Sequence, residues 1–304
     1  MGAFLYLRIN YMKDIKTEPW QTAEGRDYIE HFKTFNPFAL FKVGGELISD
    51  SEKLGIIATD AATLWANGVK NVYVNGGGKY ITHGLAKTGI QNTMVNGERV
   101  TSTEAMLHIP DILAGVTQTV CDAIDEAVGA NITVPVTSGV FTATLSNPED
   151  LGSADIVWAN TDPVFDVLKE GLVPIVSCAG KLAIDGAGSE QAVNINADKS
   201  AVSLAAMLAV KKFVSYLDVQ GVMDENGDVF PQLMPEEVEV LKKTGIIKGG
   251  MAVKTDQAVW LLDQGVDSVA LVPPDNLQNE LFQKVGAGTL IKLAQTPDIL
   301  EEKL

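Results

Sequence analysis

Two cysteines, Cys121 and Cys178, are all that the 304 residues contain, and both sit inside apolar runs (VTQTVCDAI and VPIVSCAG). They rule out a disulfide framework and cannot build a tetrahedral zinc site by themselves. They read instead as small hydrophobic residues of a core in a reducing compartment. Histidine is equally scarce: His31, His83 and His108 have no spacing that suggests a metal site or a catalytic triad. No apolar run approaches the roughly 20 residues needed to cross a bilayer. The opening residues, MGAFLYLRINYMKD, lack the basic start and the long apolar stretch of a signal peptide. A cytoplasmic protein is expected. Basic residues are also in deficit, 23 Lys and Arg against 39 Asp and Glu, for a formal charge of −16. That balance repels nucleic-acid backbones and anionic membrane surfaces, so neither is expected as a partner. An anionic ligand would have to be met by few, local cations.

What is present is an alternation of strand-like and helix-like segments. FALFKV (Phe38–Val43) reads as a buried strand that runs into Gly44-Gly45. Ser51–Gly68 carries apolar residues at 54, 57, 58, 61, 62 and 65, which is helical spacing. Asn71–Val74 is the next strand, ending in Gly76-Gly77-Gly78 before a helix from about Tyr80. Thr101 and Glu104 have the spacing of a capping box, and the helix they open continues past Pro110 to about Val128. Leu172–Gly180 is a further buried strand. Later segments repeat the logic, with helices over Lys199–Lys211, Pro235–Lys243 and Met251–Gln264 and strands over Phe213–Leu217 and Asp267–Val272. Asp224–Val229 holds the Asn-Gly signal of a tight hairpin. This order predicts an α/β protein, a three-layer αβα sandwich around a mainly parallel open sheet. A short helix over Asp27–Phe35 and a glycine-rich division near 181–192 suggest three parts: an extension 1–36, a lobe 37–188 and a lobe 189–304.

Gly44-Gly45, Gly76-Gly77-Gly78 and Gly249-Gly250 stand at junctions leading into helices. Glycine there lets the backbone approach a ligand and aim N–H groups at an anion, although tight turns alone would also explain each cluster. Neither a GxxxxGK[ST] nor a GxGxxG motif occurs at these loops, so a P-loop or dinucleotide fold is not indicated. Lys42 ends an apolar strand, where an unpaired ammonium is costly, and Lys254 falls early in a helix whose dipole disfavours cations. Both placements point to an anionic partner, with a lysine snorkelling to solvent as the bland alternative at each. Asp198, in NINAD, reads as an N-cap or as an organiser of the two lysines, and Asn194 as an amide donor. Arg99 is the candidate carboxylate clamp, unless it merely pairs with Glu98.

The strings FKVGGELISD, VYVNGGGKYI, LAKTGIQNTMVNGERVTS, NINADKSAVSLAA, LDVQGVMDENGDV, GIIKGGMAVKTDQA and GAGTLI, in this order, resemble the amino-acid kinase family in its acetylglutamate kinase branch. FNPFALFKVGG, VPVTSGVFTATL and NELFQKVGAGTL look more like the subgroup fused to an acetyltransferase domain, a domain for which this chain has no room. The resemblance implies phosphoryl transfer from ATP to the γ-carboxylate of N-acetyl-L-glutamate in arginine biosynthesis. It implies that Lys42 and Lys254 neutralise charge on the transferring group, that Asp198 holds them, and that backbone N–H groups of Gly44, Gly45, Gly76 and Gly77 cradle it. Arg99 and Asn194 would bind the substrate's α-carboxylate, and the first lobe would be its domain. Asp218, Gly221, Asp224 and Gly250 would lie along the nucleotide in the second lobe. Mg²⁺ would arrive with ATP, no protein metal site is expected, and a homo-oligomer and an L-arginine effector are implied, with the extension as an oligomer contact. Two positions depart from the pattern: Asn75 where a histidine is usual, and Glu98 where a leucine precedes the arginine. They leave room for another N-acyl acidic amino acid, such as N-succinylglutamate or an N-acyl-2-aminoadipate. A weakly catalytic, arginine-sensing binding module is the remaining alternative.

Overall fold

The computed structural model describes residues 19–91, 93–95, 98–184, 187–282 and 287–294. Most of the expected extension, residues 1–18, and Asp185 and Gly186 of the expected division therefore lie outside the described residues. The strands are, in order, β1 Ala39–Val43, β2 Asn71–Asn75, β3 Thr93–Val95, β4 Glu98–Val100, β5 Thr133–Val136, β6 Phe141–Leu145 and β7 Ala154–Ala159. They continue with β8 Val173–Ser177, β9 Ala179–Ile184, β10 Ala187–Asn194, β11 Lys212–Tyr216, β12 Gln232–Leu233, β13 Ser268–Val272 and β14 Thr289–Lys292. Contacts divide the chain into two compact units. Unit 1 comprises the described residues within 1–41, 56–71 and 208–304, and unit 2 those within 42–55 and 72–207.

Unit 2 holds the parallel run β2-β8-β5, in which Tyr73 faces Ile175 and Pro135 faces Ile175 from the other side. Strands β2 and β8 are buried along their whole length, as parallel strands covered on both faces must be. Helix Ile109–Val128 lines the core with Ile109, Leu113, Val116, Val120 and Ile124, a spacing of three and four residues that puts them on one face. Each such side chain contributes about 1.5–3 kcal/mol of burial. A separate four-stranded sheet has the order β10-β9-β6-β7, antiparallel except between β6 and β9, and β3-β4 form an isolated hairpin.

Unit 1 carries the run β12-β14-β13-β11, with β11 and β13 parallel and β13 and β14 antiparallel. Its aromatic core stacks Phe32 on Phe38 with ring centroids 3.8 Å apart, and Phe282 lies 6.0 Å from Phe32.

Several expectations are corrected here. The first helix spans Ala23–Phe32, capped by Thr22, rather than 27–35, and its Tyr28, Ile29 and Phe32 are buried. Residues 19–36 thus belong to unit 1 by packing and do not stand apart as an extension. The division expected near 181–192 falls at 207/208, because residues 187–191 of that polar, glycine-rich stretch belong to β10, which pairs antiparallel with β9. The cap before Met106 is Ser102, whose hydroxyl accepts the Ala105 N–H, and Pro110 opens the next helix from its first turn. Thr101, one residue earlier, is fully buried and serves the site instead.

Candidate active site

Three helix N-termini of unit 2 surround one cavity of about 200 Å³. It is lined by Lys42, Gly44, Gly45, Gly76, Gly77, Gly78, Glu98, Arg99, Cys178, Asn194 and Asp198 among others. The first terminus follows β1, where Gly44 precedes the short helix Gly45–Ile48. The second follows β2, where Gly77 precedes helix Gly78–Thr88 with no side-chain cap. The third is helix Ala197–Met207, entered from Asn196, whose Oδ1 accepts the Asp198 N–H at 2.8 Å. First-turn N–H groups have no intrahelical partner and carry the positive end of the helix dipole, so they form an anion cradle.

The two glycine loops touch. The Gly76 N–H donates to the Val43 carbonyl at 2.9 Å, and a Cβ on Gly45 would lie 3.4 Å from the Gly78 nitrogen. A Cβ on Gly77 would come within 2.6 Å of Leu113 Cδ2. The loops and the helix beneath them thus approach closely, and a side chain at Gly77 would have to displace Leu113. It follows that the Gly76 N–H, expected as an anion donor, is committed to joining the loops.

Lys42 reaches Asp198 Oδ1 at 2.7 Å. Its aliphatic stem is buried with β1, and its ammonium meets a carboxylate that is partly open to solvent. Asp198 therefore sits in the first turn of its helix as an ion-pair partner, and the cap it was expected to supply comes from Asn196.

Arg99, in β4, is buried, which lowers its pKa from the ordinary guanidinium value. Its Nη2 donates to the Gly78 carbonyl at 2.7 Å and to Thr82 Oγ1 at 2.9 Å, while Nη1 is buried with no partner among the described residues. It does not pair with Glu98, which goes to Lys199 at 2.9 Å. Arg99 thus lines the cavity with one terminal nitrogen still able to donate to a further acceptor.

Behind Arg99 lies a brace that sequence reasoning missed. The Asp150 carboxylate accepts the N–H groups of Thr101 and Gly152 at 2.7 and 2.8 Å. Gly152 then presses so closely on the Arg99 carbonyl that a Cβ there would lie 2.0 Å from it. Asn194 Nδ2 donates to Thr101 Oγ1 at 3.2 Å, and Thr101 Oγ1 donates to the Arg99 carbonyl at 3.2 Å. Arg99 and Asn194 are thereby brought together. The signal available in the sequence was NPEDLG, an aspartate within a turn composition. Asn75 is buried, its Oδ1 accepts from Thr117, and its Nδ2 has no partner among the described residues. Cys178 also lines the cavity, and burial pushes its thiol up to about 12.

The expected nucleotide residues all fall in unit 1. Asp218 is exposed just past β11. Gly221 has φ +147, and a Cβ there would sit 2.7 Å from Thr289 Oγ1, so packing alone demands glycine. Asp224 is occupied by its own turn, accepting the N–H groups of Asn226 and Asp228 at 2.8 and 2.9 Å. Gly250 is the second residue of helix Gly249–Asp263, and Lys254 the sixth. That helix starts two residues before the expected position, which moves Lys254 beyond the first turn, where the dipole argument loses force.

The amino acid kinase family model matches residues 37–272. The chain belongs to the amino acid kinase family. Acetylglutamate kinase from Cereibacter sphaeroides is 29% identical over 275 residues, covering 89% of this chain and 92% of that protein. Acetylglutamate kinase from Nitratiruptor sp. is 30% identical over 259 residues, covering 83% and 90%. Among solved structures, N-acetylglutamate synthase from Neisseria gonorrhoeae superposes with a TM-score of 0.71 at 21% identity, covering 89% of this chain and 65% of the synthase chain. Carbamate kinase from Giardia lamblia bound to AMP-PNP gives 0.65 at 14% identity, covering 86% and 99%. At these identities the superpositions bear on the fold, which is that of the amino acid kinases: a large, mainly parallel sheet with flanking helices.

Proposed function

We propose that the chain transfers the γ-phosphoryl group of MgATP to the side-chain carboxylate of N-acetyl-L-glutamate, forming N-acetyl-L-glutamyl 5-phosphate, a step of arginine biosynthesis. The observation that carries the reading is Arg99. Its buried, half-satisfied guanidinium shares one cavity with an uncapped glycine loop and the Lys42–Asp198 pair. An acceptor with two carboxylates matches that arrangement: one on Arg99 and Asn194, the other near the glycine amides. The attacking carboxylate is ionised at neutral pH, so no general base is needed. Asp198 acts on Lys42 as a holder and does not act on the acceptor. Lys42 and the amides of Gly44, Gly45 and Gly77 oppose the negative charge spread over the transferring group, and positioning supplies the rest.

MgATP is a substrate in this scheme, its metal carried by the phosphates. Unit 1 is assigned to the nucleotide, with Lys254 on the leaving phosphate and Asp218, Gly221, Asp224 and Gly250 along the rest. L-arginine, as the end product of such a pathway, is proposed as an effector, and the enzyme is proposed to act in the cytoplasm as a homo-oligomer.

The test is acyl phosphate formation, trapped with hydroxylamine, from MgATP and N-acetyl-L-glutamate, with and without L-arginine. Failure to form product with any N-acylated acidic amino acid sinks the proposal. Room for another N-acyl acidic amino acid is left by Asn75 and Glu98, but Asn75 is buried on Thr117 and Glu98 is paired with Lys199, which weakens that case.

A further inference from the structure

Lys199 contacts two carboxylates at once, Glu98 Oε1 and Asp155 Oδ1, each at 2.9 Å. The three residues come from different elements: Glu98 opens β4, Asp155 lies in β7, and Lys199 follows Asp198 in helix Ala197–Met207. Glu98 lines the cavity and immediately precedes Arg99. The β3-β4 hairpin that carries both has only three residues in each strand and, among the described residues, joins no other sheet. Its Met94, Val95 and Val100 are exposed. A two-stranded ribbon of that kind is marginal by itself, so its position depends on its anchors. Arg99 on Gly78 and Thr82, and Asp150 on Thr101, hold the cavity side. Lys199 adds a further anchor at Glu98.

We propose that Lys199 is a positioning residue, strapping the Arg99-bearing hairpin to the helix that carries Asp198 and cancelling the Glu98 charge beside the carboxylate clamp. The proposal rests on the reading of this cavity as the site of the acidic acceptor. Without the ammonium, Glu98 and Asp155 repel each other, the hairpin loosens, and an uncompensated carboxylate stands one residue from the arginine that must attract an anion.

The experiment compares Lys199→Met, Lys199→Arg and Glu98→Gln with the unaltered protein, by steady-state kinetics and by amide exchange of the segment 93–100 without ligand. Lys199→Met is expected to raise KM for N-acetyl-L-glutamate about three- to tenfold, the range expected for two partly exposed ion pairs. Its kcat and its KM for MgATP should stay within about twofold, and exchange across 93–100 should accelerate. Lys199→Arg should restore both readouts. Glu98→Gln should loosen the segment with a smaller KM penalty, because it leaves no stray charge near Arg99, and added salt should shrink the Lys199→Met penalty more than the Glu98→Gln one. Unchanged exchange with unchanged KM, or a fall in kcat at constant KM, overturns the strap. If the unaltered protein phosphorylates no acidic acceptor, the functional reading fails, while exchange in the ligand-free protein still decides whether Lys199 holds the hairpin.

Discussion

Two lysines occupy strands that are buried from end to end, Lys42 in β1 and Lys212 in β11, and each has a carboxylate partner within 3 Å. Lys42 meets Asp198 at 2.7 Å, at the edge of a cavity among glycine loops, and the Asp198 side chain keeps 29% of its exposure. Lys212 meets Glu280 at 2.9 Å, and the Glu280 side chain keeps 1%. The Glu280 pair is sealed in the core of unit 1, with its second oxygen unpartnered among the described residues. The same physical cost, an ammonium taken out of water, is met in both places by an ion pair. What separates the two pairs is their surroundings. Only Lys42 has open volume and helix N-termini beside it, so only Lys42 can exchange part of its partner's charge for that of a ligand. Burial of a lysine in an apolar strand signals an anion nearby and says nothing about whose anion it is.

The contrast can be broken most forcefully at the sealed pair. Lys212→Met leaves Glu280 buried and uncompensated, and should cost about 3–5 kcal/mol of stability in urea unfolding while leaving kcat intact. Adding Glu280→Met should recover most of that loss, since an apolar pair of similar volume removes both charges. A Lys212→Met protein of unchanged stability would mean that the pair is not what the geometry says it is. Lys42→Met should behave in the opposite way: the unfolding midpoint barely moves, because Asp198 can turn to water, while turnover falls about 100- to 1000-fold. Comparable losses of stability for the two substitutions would erase the distinction. Arg99→Lys comes next. A lysine cannot hold Gly78 and Thr82 and still present a free donor to a carboxylate, so KM for the acidic acceptor should rise about 10- to 100-fold with a smaller change in kcat.

The sequence made the working side of this comparison legible and hid the other. Lys42, Gly44-Gly45, Gly76-Gly77-Gly78, Arg99, Asn194 and Asp198 stand beside local signals, such as a strand end, a turn or a helix start, and all of them line one cavity, whereas Gly249-Gly250 and Lys254 are not among its lining residues. Lys212 stands at the head of KFVSY with nothing nearby to mark it, and its partner is 68 residues away. The Lys199 strap is illegible for the same reason, since its bond to Asp155 closes 44 residues of chain. The parallel strands could be read because burial on both faces makes them continuous apolar runs. The β10-β9-β6-β7 sheet could not, because its strands are half exposed and their partners are set by register across long loops. Cap positions slipped by a residue or two: Ser102 replaced Thr101, and Asn196 replaced Asp198. In each case the residue released from capping bonds to a residue that lines the cavity: Thr101 to Asn194 and Arg99, Asp198 to Lys42.

The smallest effect to look for is at Cys178, a neutral reporter buried on the Lys42 side of the comparison. Burial is the main cause that pushes its thiol up to about 12. A backbone N–H and the Lys42 charge pull the other way, and Asp198 opposes Lys42. Because the folded protein holds this proton more tightly than the unfolded chain, the associated stability is complete below the ordinary thiol range. It is lost as pH climbs from there towards about 12. Native protein should therefore resist iodoacetamide at Cys178 at pH 8, whereas urea-unfolded protein should label readily. Lys42→Met should leave that resistance in place, since the lysine and Asp198 act on the thiol with opposite sign. Rapid native labelling at pH 8 that disappears in Lys42→Met would show that the end of β1 is net cationic rather than a balanced pair. Lys42 would then have its charge free for a ligand before any ligand arrives.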